Sequence, residues 1–132
     1  MNENMAMPVE LREITAETVR TICGLEVAEE QRENVAPVAI SIAQAHFEPR
    51  ATFRAIYAGD EPVGFMLWRD DDKPNTAYLW RFMVDRRHQG KGYGRDALEQ
   101  AIAMLKAQGV TKLSASVVRG EHSPLGFYLS IG

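Results

Sequence analysis

Seven consecutive residues, Gln89-Gly90-Lys91-Gly92-Tyr93-Gly94-Arg95, combine three glycines at alternate positions with two cations. Glycines at that spacing remove the Cβ atoms that would hold an anion away from the main chain. The stretch before them, Leu79 to Val84, reads as a strand, and the stretch after them, Asp96 to Gln108, as a helix. A helix start offers unpaired N–H groups and the positive end of its dipole, so the pattern predicts a pocket for phosphate, with pyrophosphate as its natural guest. Two phosphate motifs do not fit. The dinucleotide fingerprint needs G-x-G-x-x-G and an acidic residue about twenty positions on, whereas these glycines run G-x-G-x-G and that region holds Lys112. A P-loop needs four residues between its glycines and then Lys-Ser or Lys-Thr, and here Lys91 sits between Gly90 and Gly92.

The order Phe82-Met83-Val84 followed by Gln89-x-x-Gly92-x-Gly94 matches the Q/R-x-x-G-x-G/A signature of the GNAT family of N-acetyltransferases, which the chain resembles. In that family the loop binds the pyrophosphate of acetyl-coenzyme A. The resemblance therefore implies acetyl-coenzyme A as co-substrate, with Phe82, Met83, Val84, Gln89, Gly90, Lys91, Gly92, Tyr93, Gly94 and Arg95 as its binding residues. The stretches Glu29-Glu30-Gln31, Val35-Ala36-Pro37, Val63-Gly64-Phe65-Met66 and Arg81 to Asp85 are similar to the bacterial spermine/spermidine, or diamine, acetyltransferase branch. That similarity covers most of Met7 to Gly132 and implies a polyamine or diamine acceptor.

An alkyl amine has a pKa near that of lysine, about 10.4, so it arrives protonated at neutral pH. Glu26, Glu29, Glu30 and Asp85 are the candidates for taking the proton through water, or for holding the cation. Glu26, Glu29 and Glu30 are assigned here to substrate binding. Charge developing on the thioester oxygen needs a prepositioned donor, which the family takes from a strand N–H near Phe82-Met83-Val84. Tyr128 matches the tyrosine of the family's Phe-Tyr pair, which makes it the expected catalytic proton donor to the leaving thiolate. The Asn usually found seven residues earlier is Glu121 here. Arg81 on an alternating strand is expected to point away from Trp80 and Phe82, to bind substrate or satisfy a buried carboxylate.

Composition sets the frame. A chain of 132 residues, 45% hydrophobic and 25% charged, holds one domain with its own core. Residues 1–6 read as a loose tail and 7–132 as a single acetyltransferase domain. No apolar run has the length of a membrane span, and Met1-Asn2-Glu3-Asn4 lacks the pattern of a signal peptide, so a cytoplasmic location is expected, with no membrane or nucleic-acid partner. Cys23 is the single cysteine and reads as core, while His46, His88 and His122 are scattered without ligand spacing, so no metal is expected. Residues 1–50 hold nine acids against four bases and residues 86–132 three against seven. The basic end suits phosphates, and the acidic end suits a cationic amine.

Positioning the glycine loop takes an α/β arrangement: a GNAT-like mixed sheet, an antiparallel meander plus one parallel strand, with flanking helices. Val9 to Ile14 reads as the first strand, and Thr15 as the cap of a helix toward Leu25. A second helix over Pro37 to Phe47 would bury Ile40, Ala43 and Phe47. Ala51 to Ala58, Pro62 to Trp68 and Thr76 to Val84 form the meander, and Lys112 to Val118 joins in parallel after the third helix, Tyr93 to Gln108. A short helix is expected to open at Ser123 and Pro124 and carry Phe127 and Tyr128. Family members continue past the equivalent of Gly132 with two further strands, which are lacking here. The last strand is then expected to have an open edge through which the chain forms a homo-oligomer, a dimer. Beside the polyamine reading stand acetylation of another small amine or of a protein amine, and a coenzyme-A-binding module without catalysis.

Overall fold

The computed structural model describes residues 9–29, 36–118 and 124–130, with 116–118 and 124–130 given as main chain. The strands β1 (Val9–Arg12), β2 (Ala51–Ala58), β3 (Glu61–Asp70), β4 (Thr76–Val84), β5 (Lys112–Val118) and β6 (Pro124–Ser130) form one sheet in sequence order. Every neighbouring pair is antiparallel except β4 and β5, which run parallel because helix α3 (Tyr93–Ala107) crosses over between them. The mixed α/β sheet expected from the sequence is the one observed.

Helix α3 covers one face. Its apolar side buries Ala97, Ala101 and Leu105 against Ile56, Val63, Met66, Trp68 and Leu113. The other face carries α1 (Val19–Cys23) and α2 (Val38–His46), which pack Ile22, Leu25 and Val38 against Phe65, Leu67 and Met83. Strand residues alternate between the two faces, so Met83 looks toward α1 and α2 while Phe82 and Val84 lie under the start of α3.

Three expectations change. The helix expected at Ser123 is not formed by the residues after it: Pro124 to Ser130 is β6, registered from Val118↔Pro124 to Lys112↔Ser130. Proline is tolerated as the first residue of a strand, and aromatic residues such as Phe127 and Tyr128 favour extended backbone. Ser123 itself lies outside the described residues. The edge of β5 that motivated the dimer is therefore paired with β6.

Helix α1 is a single turn beginning at Val19, with the Thr15 carbonyl accepting from the Thr18 and Val19 N–H groups at 3.1 and 2.9 Å, so Thr15 closes a turn in place of capping. In α2 the inward face is Val38, Ser41 and Ala45, whereas Ile40 is 50% and Phe47 82% exposed, with Ala43 exposed between them. The segment VAISIAQAH is apolar around most of its circumference, so its periodicity does not select a face. Ser41 enters the core because its hydroxyl donates back to the Pro37 carbonyl at 3.2 Å.

Candidate active site

The sheet opens where β4 leaves β5. Parallel pairing runs from Thr76↔Lys112 to Leu79↔Ala115 and extends no further among the described residues. Two features fix that opening. At the closed end the Asn75 carbonyl accepts from the N–H groups of Thr111 and Lys112 at 2.8 and 3.2 Å, tying the start of β5 to the turn before β4. At the other end β4 bulges against β3: Leu67 faces Arg81 and Trp68 faces Leu79, which leaves Trp80 as the extra residue. A bulge bends its strand and raises its twist, so Arg81 to Val84 swing away from β5.

That bend leaves one edge of β4 free. The Asp85 N–H donates to the Val63 carbonyl at 2.7 Å, and the Val84 carbonyl accepts from Gln89 Nε2 at 3.0 Å on the opposite side. An antiparallel ladder alternates its bonds. Met83 therefore directs its N–H and carbonyl to β3, and Phe82 and Val84 direct theirs to the open edge. The bulge also corrects the expected alternation. Trp80 and Arg81 both lie on the α2 face, with the Arg81 guanidinium carbon 5.7 Å from the Trp80 ring centre and Nη2 donating to Gln44 of α2 at 2.9 Å.

Beyond β4, Asp85 caps a one-turn 3-10 segment at Arg86–His88, and the glycine loop follows. Gly90 and Gly92 have φ of 81° and 84°, the left-handed region that suits glycine, and Gly92 caps α3. The first bond of α3 runs from the Asp96 N–H to the Gly92 carbonyl at 3.2 Å, so the N–H groups of Tyr93, Gly94 and Arg95 have no partner inside the helix. Nor do the N–H groups of Gly90, Lys91 and Gly92 donate to any described main-chain group. A Cβ on Gly90 or Gly92 would meet nothing within 4 Å. Such a bare, donor-lined bend fits a diphosphate.

Two cavities meet at this point. A cleft of about 440 Å³ is lined by Phe82, Met83, Val84, Gln89, Gly90, Gly92, Tyr93, Gly94 and Arg95, and also by Val27 and His88. Of the residues expected at the coenzyme site only Lys91 is outside this lining. A smaller groove of about 300 Å³ lies between the α1–α2 connection and β4, lined by Cys23, Leu25, Glu26, Val27, Ala36, Pro37, Val38 and Met83. Val27 and Met83 border both. Sequence reasoning missed Val27 and His88. His88 carried a signal, because it directly precedes Gln89, whereas Val27 reaches the cleft only through tertiary folding.

Charges around the site fall into two groups. Arg86 and Arg87 hold the turn together: Arg86 lies 4.0 Å from Glu26, and Arg87 Nε donates to Asp85 at 2.8 Å. Lys91 and Arg95 are exposed and have no ion pair among the described residues, which leaves them available to an anion. Glu26 borders the smaller groove with its side chain half exposed, and Glu29 is exposed a short way along the same segment. Glu30 lies outside the described residues. The main chain of Tyr128 is opposite Ser114, which pairs with Tyr78 at the closed end of the sheet. Strand register does not bring it beside Phe82 to Val84.

Asp85 is a structural carboxylate. It is buried, and its oxygens accept from the Glu26 N–H at 2.9 Å, the Arg87 N–H at 3.2 Å and Arg87 Nε at 2.8 Å. Burial pushes its pKa up, but the bonds from Glu26 and Arg87 outweigh that and hold it below the usual carboxylate value. A carboxylate so engaged is a poor base. A group whose folded pKa is depressed adds stability above its unfolded pKa and loses it as pH falls through the folded value. Asp85→Asn is therefore expected to flatten the acid limb of the stability curve below about pH 4, and to cost about 1–3 kcal/mol at neutral pH. Urea unfolding at pH 7 and pH 3 tests this; a mutant with the wild-type acid limb would show that Asp85 carries no such linkage.

Comparison with known proteins agrees with this geometry. Residues 19–132 match the Acetyltransferase (GNAT) family. The chain is 27% identical over 109 residues to the spermine/spermidine N(1)-acetyltransferase of Bacillus subtilis strain 168, covering 75% of this chain and 69% of that protein. Among solved structures it superposes with an acetyltransferase of Thermus thermophilus at a TM-score of 0.62, with 24% identity over 86% of this chain and 78% of the other. It superposes with the PaiA N-acetyltransferase of Thermoplasma acidophilum in complex with coenzyme A at 0.65, with 17% identity over 86% and 82%. With the family matched across the sheet opening, the glycine bend and α3, the chain belongs to the acetyltransferase (GNAT) family, and it is an acyl-coenzyme-A-dependent N-acetyltransferase whose co-substrate is acetyl-coenzyme A.

Proposed function

We propose that the protein moves acetyl from acetyl-coenzyme A to a primary amine, with polyamines and diamines such as spermidine and spermine as the first acceptor class, and that it does so in the cytoplasm. The observation that carries the reading is the junction at Met83, where the donor-lined cleft meets the smaller groove. Diphosphate seated at the glycine bend would direct the rest of the coenzyme along the open edge of β4. An amine in the groove would then approach the thioester from the other side. The Phe82 and Val84 N–H groups face that edge and supply donors for charge on the carbonyl oxygen.

Similarity to the Bacillus subtilis relative and the acidic first third of the chain support a polyamine acceptor. Glu26 is the described acid best placed to meet a cation in the groove, and it shares its charge with Arg86. A second reading, another small amine or a protein amine, is favoured by Arg81, a guanidinium on the α2 face whose hydrogen-bond partners among the described residues are neutral. Thiol release from acetyl-coenzyme A in the presence of spermidine, spermine, putrescine and a lysine peptide tests both. Release with the polyamines is expected; coenzyme binding without transfer to any amine would leave a binding module.

The assignment of Tyr128 as proton donor rests on the family pattern. Tyr128→Phe is expected to lower kcat by about a hundredfold or more, the scale of general acid catalysis, and to spare coenzyme affinity. Because its main chain is registered to Ser114, an unchanged kcat would remove Tyr128 from the reaction and assign it to the sheet.

A further inference from the structure

Arg12, Arg50, Arg86 and Arg87 each lie within ion-pair distance of a carboxylate. Arg81 does not. Its Nη1 donates to the Trp80 carbonyl at 3.0 Å and its Nη2 to the Gln44 amide oxygen at 2.9 Å, while Nε is buried without an acceptor among the described residues. Burial pulls this guanidinium below the usual arginine range, and the opposing influence of nearby Tyr78 is too small to offset it. Trp80 adds a second observation. The Arg69 guanidinium carbon lies 5.9 Å from the same indole that Arg81 approaches, and Arg69 has no ion pair among the described residues. Two cations thus approach one aromatic ring on the α2 face, and the acid that acts on Arg69, Glu48, is held by Arg50.

A half-buried cation with neutral partners is costly to keep. As a staple between α2 and the sheet it would be inferior to a neutral side chain of similar length, so its charge calls for a partner outside the chain. The position says which. Arg81 stands two residues before Met83 on the same face, about 7 Å along the strand, and thus beyond the end of the acceptor groove that Met83 borders. It is outside the lining of the donor cleft, where the glycine bend receives the phosphates. A guanidinium fork pairs best with a planar carboxylate.

We infer that Arg81 is a specificity-determining residue that receives a carboxylate at the far end of the acceptor, so that the preferred substrate is a primary amine joined to a carboxylate by a short alkyl chain. The inference rests on the acetyltransferase reading and takes the second of its two acceptor classes, a small amine that is not a polyamine, over the first. A diamine would place a second cation against Arg81, where it is repelled.

The test compares 5-aminopentanoate, 5-aminopentanol and cadaverine, which share one five-carbon chain and differ at the far end, using acetyl-coenzyme A and the wild-type enzyme. The expected kcat/KM for the carboxylate exceeds that for the alcohol by about tenfold or more, the scale of a charge-assisted bond, with cadaverine lowest. R81M should erase that preference, and R81K should restore part of it, which a purely structural role of the side chain would not produce. Equal rates across the three amines, or a preference that survives in R81M, would overturn the inference while leaving the transferase reading intact. A preference for succinyl-coenzyme A with 5-aminopentanol would overturn it by moving the carboxylate to the acyl group. Transfer to none of the three amines with either donor would overturn the inference, and release with the polyamines or the lysine peptide would then show that the transferase reading stands without it.

Discussion

Gly92→Val is expected to weaken acetyl-coenzyme A binding by at least about a hundredfold while leaving the protein folded. Gly92 sits at φ 84° and caps α3, and a Cβ there would meet no described atom within 4 Å. The cost to the fold is then confined to the backbone, about 1–2 kcal/mol for a residue with a Cβ in the left-handed region. For the ligand the cost is larger, because the branched side chain occupies the space above the loop's N–H groups. Losing two charge-assisted bonds of about 1.5–3 kcal/mol each exceeds the roughly 2.7 kcal/mol that a hundredfold change requires. Gly109→Val provides the control. Gly109 has φ 90° just past the far end of α3 and also has open space around it. It should incur a similar backbone cost with no change in coenzyme affinity. Calorimetric titration of both variants decides the matter, and a Gly92→Val protein that binds as tightly as wild type would mean that the bend does not clasp the diphosphate.

Parts of this site that depend on local chemistry are legible in the sequence. The glycine spacing, the strand before it and the apolar stripe of α3 each require only near neighbours along the chain, and the structure places them as read. What escapes is set by contacts between distant segments. A regular strand would put Arg81 opposite Trp80, but the bulge at Trp80 resets that alternation, and nothing in Leu79-Trp80-Arg81 announces a bulge. The apolar residues of α2 surround the helix, so its buried face is chosen by where β2, β3 and β4 lie and not by period. Asp85 is a candidate base by residue type alone; only the fold shows three donors converging on it. Pro124 reads locally as a helix start, and pairing with β5 overrides that preference.

The same dependence of the site on cross-strand contact makes Gly64, outside the glycine loop, a position of large effect. Gly64 is buried in β3 between Val63 and Phe65 and pairs with Val84 in the close-spaced register of the ladder. A Cβ added to it would lie 2.5 Å from the Met83 carbonyl oxygen, 3.0 Å from Ile56 Cδ1 and 3.4 Å from Val84 Cα. The Ile56 methyl can turn aside. The Met83 carbonyl cannot, because it belongs to the backbone of β4, so Gly64→Ala must push the strand outward where Met83 borders both cavities. Overpacking of this kind costs about 1–3 kcal/mol, and β4 would move at the edge that has to meet the thioester. Gly64→Ala is therefore expected to lower the urea midpoint at an unchanged m-value, and to reduce coenzyme affinity and kcat in the fraction that remains folded. A variant with wild-type midpoint and turnover would show that β4 yields at Met83 without consequence, and that the precise setting of its open edge does not govern the reaction.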